Sequence, residues 1–86
     1  MLIVSQDRQY QTENLEMVIA PEVDSEGETG RYEILSHNEY CLGVYEDLEI
    51  AKVVMKEIIK ELVNDVCVYF MPTNSEIIQE LGSEEW

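Results

Sequence analysis

The chain has 86 residues, of which nineteen are acidic and five are lysine or arginine, so its net charge is −14. This length supports one domain, 1–86, with a single core, and the 45% hydrophobic content argues against a disordered chain. The charge excludes direct binding to nucleic acid and to anionic membrane surfaces, and it favours a basic protein as the partner.

Two strands are predicted before residue 22. The first is MLIVS at residues 1–5, and the second is NLEMVIAP at 14–21, whose side chains sort onto two faces by alternation. The residues QDRQ at 6–9 supply a turn. Pro21 is expected to end the second strand, because proline has no N–H to donate to a sheet ladder.

The acidic segment that follows, PEVDSEGETGRYE at residues 21–33, allows several interpretations. If it is extended, the carboxylates of Glu22, Asp24, Glu26 and Glu28 stand in a row about 6.6 Å apart. This row is too sparse to imitate duplex DNA without further acids, but it could enter a groove meant for a single strand or bind a cluster of arginines. A solvated connection without a partner is the remaining interpretation.

The same segment also matches the spacing of a calcium-binding EF-hand loop. Its residues Glu22, Asp24, Glu26, Gly27 and Glu33 occupy positions 1, 3, 5, 6 and 12 of that motif. Glutamate at position 1 and glycine at position 9 depart from the motif, and both flanks are predicted as strands rather than helices. A glutamate-rich segment can produce this match by composition alone, so no metal site is predicted.

A hairpin and a helix come next. RYEILS and YCLGVY, at 31–36 and 40–45, are predicted as paired strands around HNE, and Gly43 indicates a bulge or a close contact. Asp47 is a suitable N-cap for the helix. The predicted core-facing stripe recurs at spacings of three and four; it consists of Leu48, Ala51, Val54, Met55, Ile58, Ile59 and Leu62.

The last elements are a turn with a fifth strand, NDVCVYFMP at 64–72, and a short helix, TNSEIIQELG at 73–82. Thr73 or Asn74 is the predicted N-cap of that helix and Gly82 its C-terminal stop. The predicted fold is α+β, with a small, mostly antiparallel sheet of about five strands packed on one main helix (β-β-β-β-α-β) plus the short C-terminal helix. The core is assigned to 1–72, and 73–86 to the short helix and an acidic tail.

Two sets of residues are candidates for contacts with a partner. The main helix, 47–63, has a net charge of −1, so the rest of the chain carries −13. The acids expected to form one face for a cationic protein groove are Glu22, Asp24, Glu26, Glu28, Glu33, Glu46, Asp47 and Glu49. The second set is apolar: Ile50 and Val53 are expected to project outward from the helix, and Trp86 could anchor a contact. A homodimer formed through this second set is left open.

No residue pattern in the chain indicates an enzyme or a cofactor. His37, the one histidine, is predicted at a hairpin tip, and the motifs of phosphate, dinucleotide and zinc sites are missing from the sequence. Cys41 and Cys67 are expected to be reduced thiols of an intracellular protein, and a disulfide that joins neighbouring strands is the alternative. With no signal peptide or membrane span in the sequence, the expected location is the cytoplasm.

Three stretches, MLIVSQD at 1–7, LGVYEDLEIAK at 42–52 and VYFMP at 68–72, carry a resemblance. The chain resembles a group of small uncharacterised proteins of Gram-positive bacteria, their prophages and other mobile elements. The likeness covers residues 1–72, departs at Leu48 and Ile50, and carries no binding residue with it. It implies a context in which short acidic proteins often inhibit host nucleic-acid machinery.

Three functional hypotheses follow. The first is an inhibitor of host nucleic-acid-binding defence proteins, of the anti-CRISPR or DNA-mimic type, encoded by a phage or mobile element. The second is a structural or adaptor protein that acts through an apolar helix patch. The third is a calcium-binding module.

Overall fold

The computed structural model describes residues 1–83 and shows an α+β domain with two three-stranded sheets and two helices. The strands are β1 (Leu2–Val4), β2 (Gln11–Thr12), β3 (Val18–Asp24), β4 (Gly27–Leu35), β5 (Cys41–Tyr45) and β6 (Val68–Phe70). The helices are α1 (Leu48–Val63), between β5 and β6, and α2 (Asn74–Ser83). The predicted fold class is confirmed, although six strands in two sheets replace about five strands in one.

The first sheet has the order β2-β1-β6 and combines two strand directions. β1 is antiparallel to β2 and parallel to β6, with Ile3 opposite Tyr69. The predicted turn at 6–9 is present, and the Ser5 N–H donates to the Tyr10 carbonyl across it at 2.8 Å. β2, which the sequence did not predict, forms where the chain leaves this turn.

The second sheet is antiparallel, in the order β3-β4-β5. The prediction that Pro21 ends its strand is wrong, because β3 continues through Pro21, which pairs with Tyr32. A strand at the edge of a sheet tolerates a residue without an N–H, and β3 is such an edge strand. The segment predicted as an acidic connection is therefore a hairpin that turns between Asp24 and Gly27.

α1 begins as predicted. The Ile50 N–H donates to the Asp47 carboxylate at 2.9 Å, so Asp47 is the N-cap. Its buried residues are Ile50, Ala51, Val54 and Ile58. The outward position predicted for Ile50 is wrong, since only 8% of this residue is exposed, and Val53 is half-buried against the core. The buried arc is rotated from the predicted stripe because α1 meets the second sheet along the 50–54–58 line.

The last turn of α1 lies outside the core. Ile59 and Leu62, predicted to face the sheet, are 60% and 41% exposed, and Val63 is 75% exposed. Neither helix of the described chain, residues 1–83, has the length and apolar content to cross a membrane.

α2 packs on the core that the sequence assigned to residues 1–72. Ile77 of α2 is fully buried with Ile3, Ile34 and Met71. Thr73 caps the helix, since the Glu76 N–H donates to its hydroxyl and the Thr73 N–H donates to the Glu76 carboxylate. The prediction that Gly82 stops the helix is wrong, because α2 continues to Ser83.

Gly43 is both next to a register shift and in close contact with a neighbour, as the sequence indicated. The shift lies between Ile34 and Leu35, and Gly43 pairs with Ile34. A Cβ atom at position 43 would lie 2.8 Å from the Tyr45 hydroxyl oxygen and 3.0 Å from its Cε2. Since Tyr45 is fully buried, its ring has little room to move away.

Gly43→Ala is therefore expected to lower the free energy of unfolding by about 1–3 kcal/mol through overpacking. Urea denaturation followed by circular dichroism measures this loss. Because the closest contact is with the hydroxyl oxygen, the same substitution in a Tyr45→Phe background should cost less. Equal costs in both backgrounds would show that the hydroxyl contact is not the cause.

Candidate partner-binding surface

Glu22, the first of the predicted acids, is neutralised within the hairpin. Its Oε1 lies 2.7 Å from Nη2 of Arg31 and 2.9 Å from Nε, and it accepts a 2.8 Å hydrogen bond from the Thr29 hydroxyl. Its side chain is only 19% exposed. Glu22 therefore joins the two strands of the hairpin close to the turn and offers little charge to a partner.

The acids at the hairpin tip are exposed. Asp24, Glu26 and Glu28 surround the turn, where the Glu26 N–H donates to the Asp24 carboxylate at 2.8 Å. The interpretation of the segment as one straight row of carboxylates does not hold, because the chain folds back and Val23 of β3 lies opposite Glu28 of β4. The carboxylates form a compact acidic tip instead of a line.

Glu33 occupies a different environment, half-buried in β4 opposite Val44. Burial, followed by the negative charge of Glu33, raises the pKa of the Cys41 thiol to about 11. This thiol is therefore protonated near neutral pH and is a poor nucleophile. Cys41 and Cys67 are both free thiols.

Glu46, Asp47 and Glu49 lie at the start of α1. The Asp47 carboxylate is occupied by the cap, whereas Glu46 and Glu49 are exposed. Glu49 lies 3.8 Å from Lys52, but both side chains are more than half exposed, so this ion pair contributes little.

The topology brings the hairpin tip and the start of α1 to the same end of the second sheet. β5 ends at Tyr45, which pairs with Tyr32, and the antiparallel β4 has its first residue, Gly27, beyond that point. The chain then enters α1 at Leu48, with two residues, Glu46 and Asp47, between β5 and the helix. The exposed carboxylates at this end, here called the acidic end, are those of Asp24, Glu26, Glu28, Glu46 and Glu49.

A second acidic site, which the sequence did not indicate, is a groove near the opposite end of this sheet, beside the β4–β5 turn. Two hollows of about 410 and 450 Å³ adjoin there and share Gln6 and Asp7. Asp7, Glu39 and Tyr40 line the first hollow, and the start of α2 lines the second. Asp7 and Glu39 come from turns that are far apart in the sequence, so no local pattern could have joined them.

Contacts within the turns hold this groove in shape. The Ser5 hydroxyl and the Gln9 N–H donate to the Asp7 carboxylate, and these bonds lower the pKa of Asp7, so that it is ionised at neutral pH. The rings of Tyr10 and Tyr40 stack with their centroids 4.1 Å apart. A negative charge beside an aromatic surface suits an arginine or lysine side chain.

Few of the described acids are compensated by a cation. Within residues 1–83, the ion pairs are those of Glu22 with Arg31 and Glu49 with Lys52. The unpaired acids of the acidic end and those beside the β4–β5 turn therefore contribute a negative field at both ends of the second sheet.

The geometry gives no support to the calcium hypothesis. Residues 22–33 form two paired strands and a tight turn, and Glu22 is already bonded to Arg31. Among the residues that the structure describes, no group of three histidine, cysteine, aspartate or glutamate side chains is close enough to hold a metal ion.

The predicted apolar contact site is not on the surface of α1 as expected. Ile50 is buried and Val53 packs on the core, while Trp86 lies outside the described residues. The exposed apolar side chains of α1 are Ile59, Leu62 and Val63.

No protein-family model, curated protein or solved structure matches the chain. Its function therefore has to be inferred from the charges and contacts of the described residues. The described residues form an acidic end, an acid-lined groove near the opposite end of the second sheet and the scaffold that positions both.

Proposed function

We propose that this protein is a non-enzymatic module that binds a cationic protein surface through its acidic end. The observation that carries the proposal is the set of exposed carboxylates there, those of Asp24, Glu26, Glu28 and Glu46, which no lysine or arginine of the described chain pairs. Such a surface is attracted to basic proteins, and the attraction speeds association as well as selecting the partner.

The shape of the acidic end favours one mode of binding. A hairpin tip that carries Asp24, Glu26 and Glu28 is compact, so it suits a cluster of arginines better than a groove that holds a whole duplex. Arginines arranged to bind phosphates can bind these carboxylates by charge-assisted hydrogen bonds. The tip would then occupy part of a nucleic-acid-binding site and block it.

The finer proposal concerns the biological partner. Together with the resemblance to proteins of prophages and mobile elements, the acidic end suggests an inhibitor of host nucleic-acid-binding defence proteins, such as restriction or CRISPR effectors. This role places the protein in the host cytoplasm.

The test is capture of purified host nucleases and CRISPR effectors at low and high salt. We expect a stoichiometric complex with at least one of them, which weakens as salt is raised and which blocks nucleic-acid binding. Capture of none of them, or a complex that leaves nucleic-acid binding intact, would contradict the inhibitor proposal.

A charge-matched pair of variants locates the binding surface. The triple variant Asp24→Asn, Glu26→Gln and Glu28→Gln removes three charges from the tip, and asparagine at 24 keeps the oxygen that accepts from the Glu26 N–H. The control removes three charges from other exposed acids, Glu13, Glu16 and Asp65. We expect the tip variant to bind at least about tenfold more weakly and the control to change affinity much less. Equal losses would mean that only net charge matters.

An adaptor function is the second candidate. The observation in its favour is the exposed last turn of α1, with Ile59, Leu62 and Val63. Binding through this turn would persist at high salt and be lost on Ile59→Lys, whereas binding through the acidic end would show the reverse pattern. A calcium-binding function ranks third, and a calorimetric titration with calcium that gives no heat would remove it.

A further inference from the structure

The two sheets have four edge strands, and three of them are protected against pairing with another chain. β2 has only two residues, which limits the hydrogen bonds it can offer. β3 contains Pro21, a register shift beside it and the exposed acid Asp24. Short length, proline, irregular register and charge are all features that discourage edge-to-edge association.

β5 is protected in another way, because side chains occupy its outward backbone groups. The Leu42 carbonyl accepts from the Gln6 N–H at 2.6 Å, and the Val44 N–H donates to the Gln6 side-chain oxygen at 3.1 Å. The Val44 carbonyl accepts from the Asn74 side-chain amide at 2.9 Å. No further strand can pair there without displacing Gln6 and Asn74.

β6, with three residues, is also short, but it contains no proline, no register shift and no charged residue, and no described side chain occupies its outward backbone groups. The Leu2 N–H donates to the Cys67 carbonyl and the Met71 N–H donates to the Val4 carbonyl, so the odd-numbered residues of β6 direct their backbone groups toward β1. The N–H and C=O groups of Val68 and Phe70 therefore point to the open edge. No residue of the described chain, 1–83, bonds to them there.

The side chains at this edge are apolar and exposed. Tyr69 points inward and its hydroxyl donates to the Glu57 carboxylate at 2.7 Å, so Val68 and Phe70 lie on the other face, 39% and 55% exposed. The Arg8 guanidinium carbon lies 4.9 Å from the centroid of the Phe70 ring. A strand with open backbone groups and exposed apolar side chains is a template for strand addition.

The charge distribution favours a second copy of this chain as the partner that pairs with β6. None of the strands of the first sheet contains a charged residue, and residues 66–75 form the longest uncharged run of the chain. Two copies with a charge of −14 each repel one another through most of their surfaces, but they can approach through this edge of the first sheet, whose strands carry no acid and whose Phe70 lies beside the cation of Arg8. The edge is also self-complementary, because antiparallel pairing joins two identical strands about a twofold axis.

We infer that β6 pairs antiparallel with β6 of a second copy, which joins the two first sheets into one sheet of six strands. With the twofold axis at Tyr69, Val68 lies opposite Phe70 of the second copy and exchanges both backbone hydrogen bonds with it. Phe70 and Val68 of the second copy form the symmetric pair and exchange two more bonds. Four hydrogen bonds therefore form, and all four outward backbone groups of each copy are satisfied. Each valine also packs against a phenylalanine across the interface.

Amide exchange tests the pairing directly, with the thiols kept reduced so that the exposed Cys67 forms no intermolecular disulfide. We expect the amides of Val68 and Phe70 to become protected as protein concentration is raised, while the Tyr69 amide, bonded to β1, is protected at every concentration. A dimer in which these two amides remain unprotected would overturn the inference.

Sedimentation of variants provides the second test. Val68→Lys introduces a charge at the edge and is expected to weaken the dimer at least tenfold. The matched control is Val23→Lys, at a 63% exposed valine of the edge strand β3, which should leave the dimer unchanged. The wild-type dimer should tighten as salt is raised, since salt screens the repulsion between copies. The inference would be overturned if the protein stayed monomeric at all concentrations, or if β6 paired with a different protein instead of a second copy. Equal losses of dimer affinity in both variants would overturn it as well.

Discussion

Tyr45→Ala is expected to lower the free energy of unfolding by about 3–5 kcal/mol, the cost typical of truncating a fully buried aromatic side chain. The Tyr45 ring has no exposed surface, and its hydroxyl donates to the Pro72 carbonyl at 2.9 Å. This contact ties the end of β5 to the connection between β6 and α2. The loss therefore combines a cavity with the removal of a link between two sheets, and guanidinium denaturation followed by circular dichroism measures it.

Tyr45→Phe separates the hydroxyl from the ring. The Pro72 carbonyl also accepts from the Gln6 side-chain amide at 3.0 Å, so it keeps one partner, and the expected loss is only about 1 kcal/mol. Tyr40→Phe, at a 37% exposed tyrosine, is the matched control and should change stability by less than about 0.5 kcal/mol. Equal losses from the two hydroxyl deletions would contradict a role for the Pro72 contact.

Burial also raises the pKa of Tyr45, so its hydroxyl stays protonated when an unfolded tyrosine would ionise. A group whose pKa is raised in the folded state contributes its full stability below its unfolded pKa of 10.0 and loses it progressively above that pH. The wild-type protein should therefore lose stability above about pH 10, and Tyr45→Phe should lose less over the same range.

Ile77→Ala is expected to lower the free energy of unfolding by about 2–5 kcal/mol. Ile77 is fully buried, and among the described side chains of α2, those of residues 74–79, it is the one in the main core. Asn74 adds a polar link at the start of the helix, since its amide donates to the Val44 carbonyl and accepts from the Glu46 N–H. A loss of this size is a large part of the total stability of a small domain.

The adjacent residue supplies the control for this prediction. Ile78 is 40% exposed, so Ile78→Ala removes the same atoms from the same helix at a much lower cost, about 1 kcal/mol or less. Denaturation curves of the two variants and the wild type measure both losses in the free energy of unfolding. Similar losses at both positions would show that α2 is not docked through Ile77.

The features that could be predicted from the sequence depend on near neighbours in the chain. The Asp47 cap, the Thr73 cap, the turn at His37 and the close contact of Gly43 each involve residues within a few positions of one another. The rotation of α1 could not be predicted in this way. Whether Ile50 or Leu62 faces the core depends on where the sheet lies, and periodicity alone does not contain that information.

The structure of the acidic segment, residues 21–33, could not be predicted from residue spacing either. The spacing of its acids suggested an extended row or a calcium loop, although Asp24 and Gly27 at the ends of a four-residue turn are also typical of a hairpin. Glu22 could be assigned its structural role only once the hairpin placed it beside Arg31. The groove of Asp7 and Glu39 had no signal in the sequence, because two distant turns form it.

The parallel pairing of β1 with β6 has a consequence for biosynthesis. β1 is made before β6, but its central position in the first sheet requires a neighbour at residues 68–70, which are made only after β2 to β5 and α1. A contact between such distant segments forms slowly, because a long stretch of chain has to be ordered before it. During translation β1 therefore waits until β6 has also left the ribosome, and while β1 is unpaired the nascent chain is exposed to aggregation and to binding by chaperones.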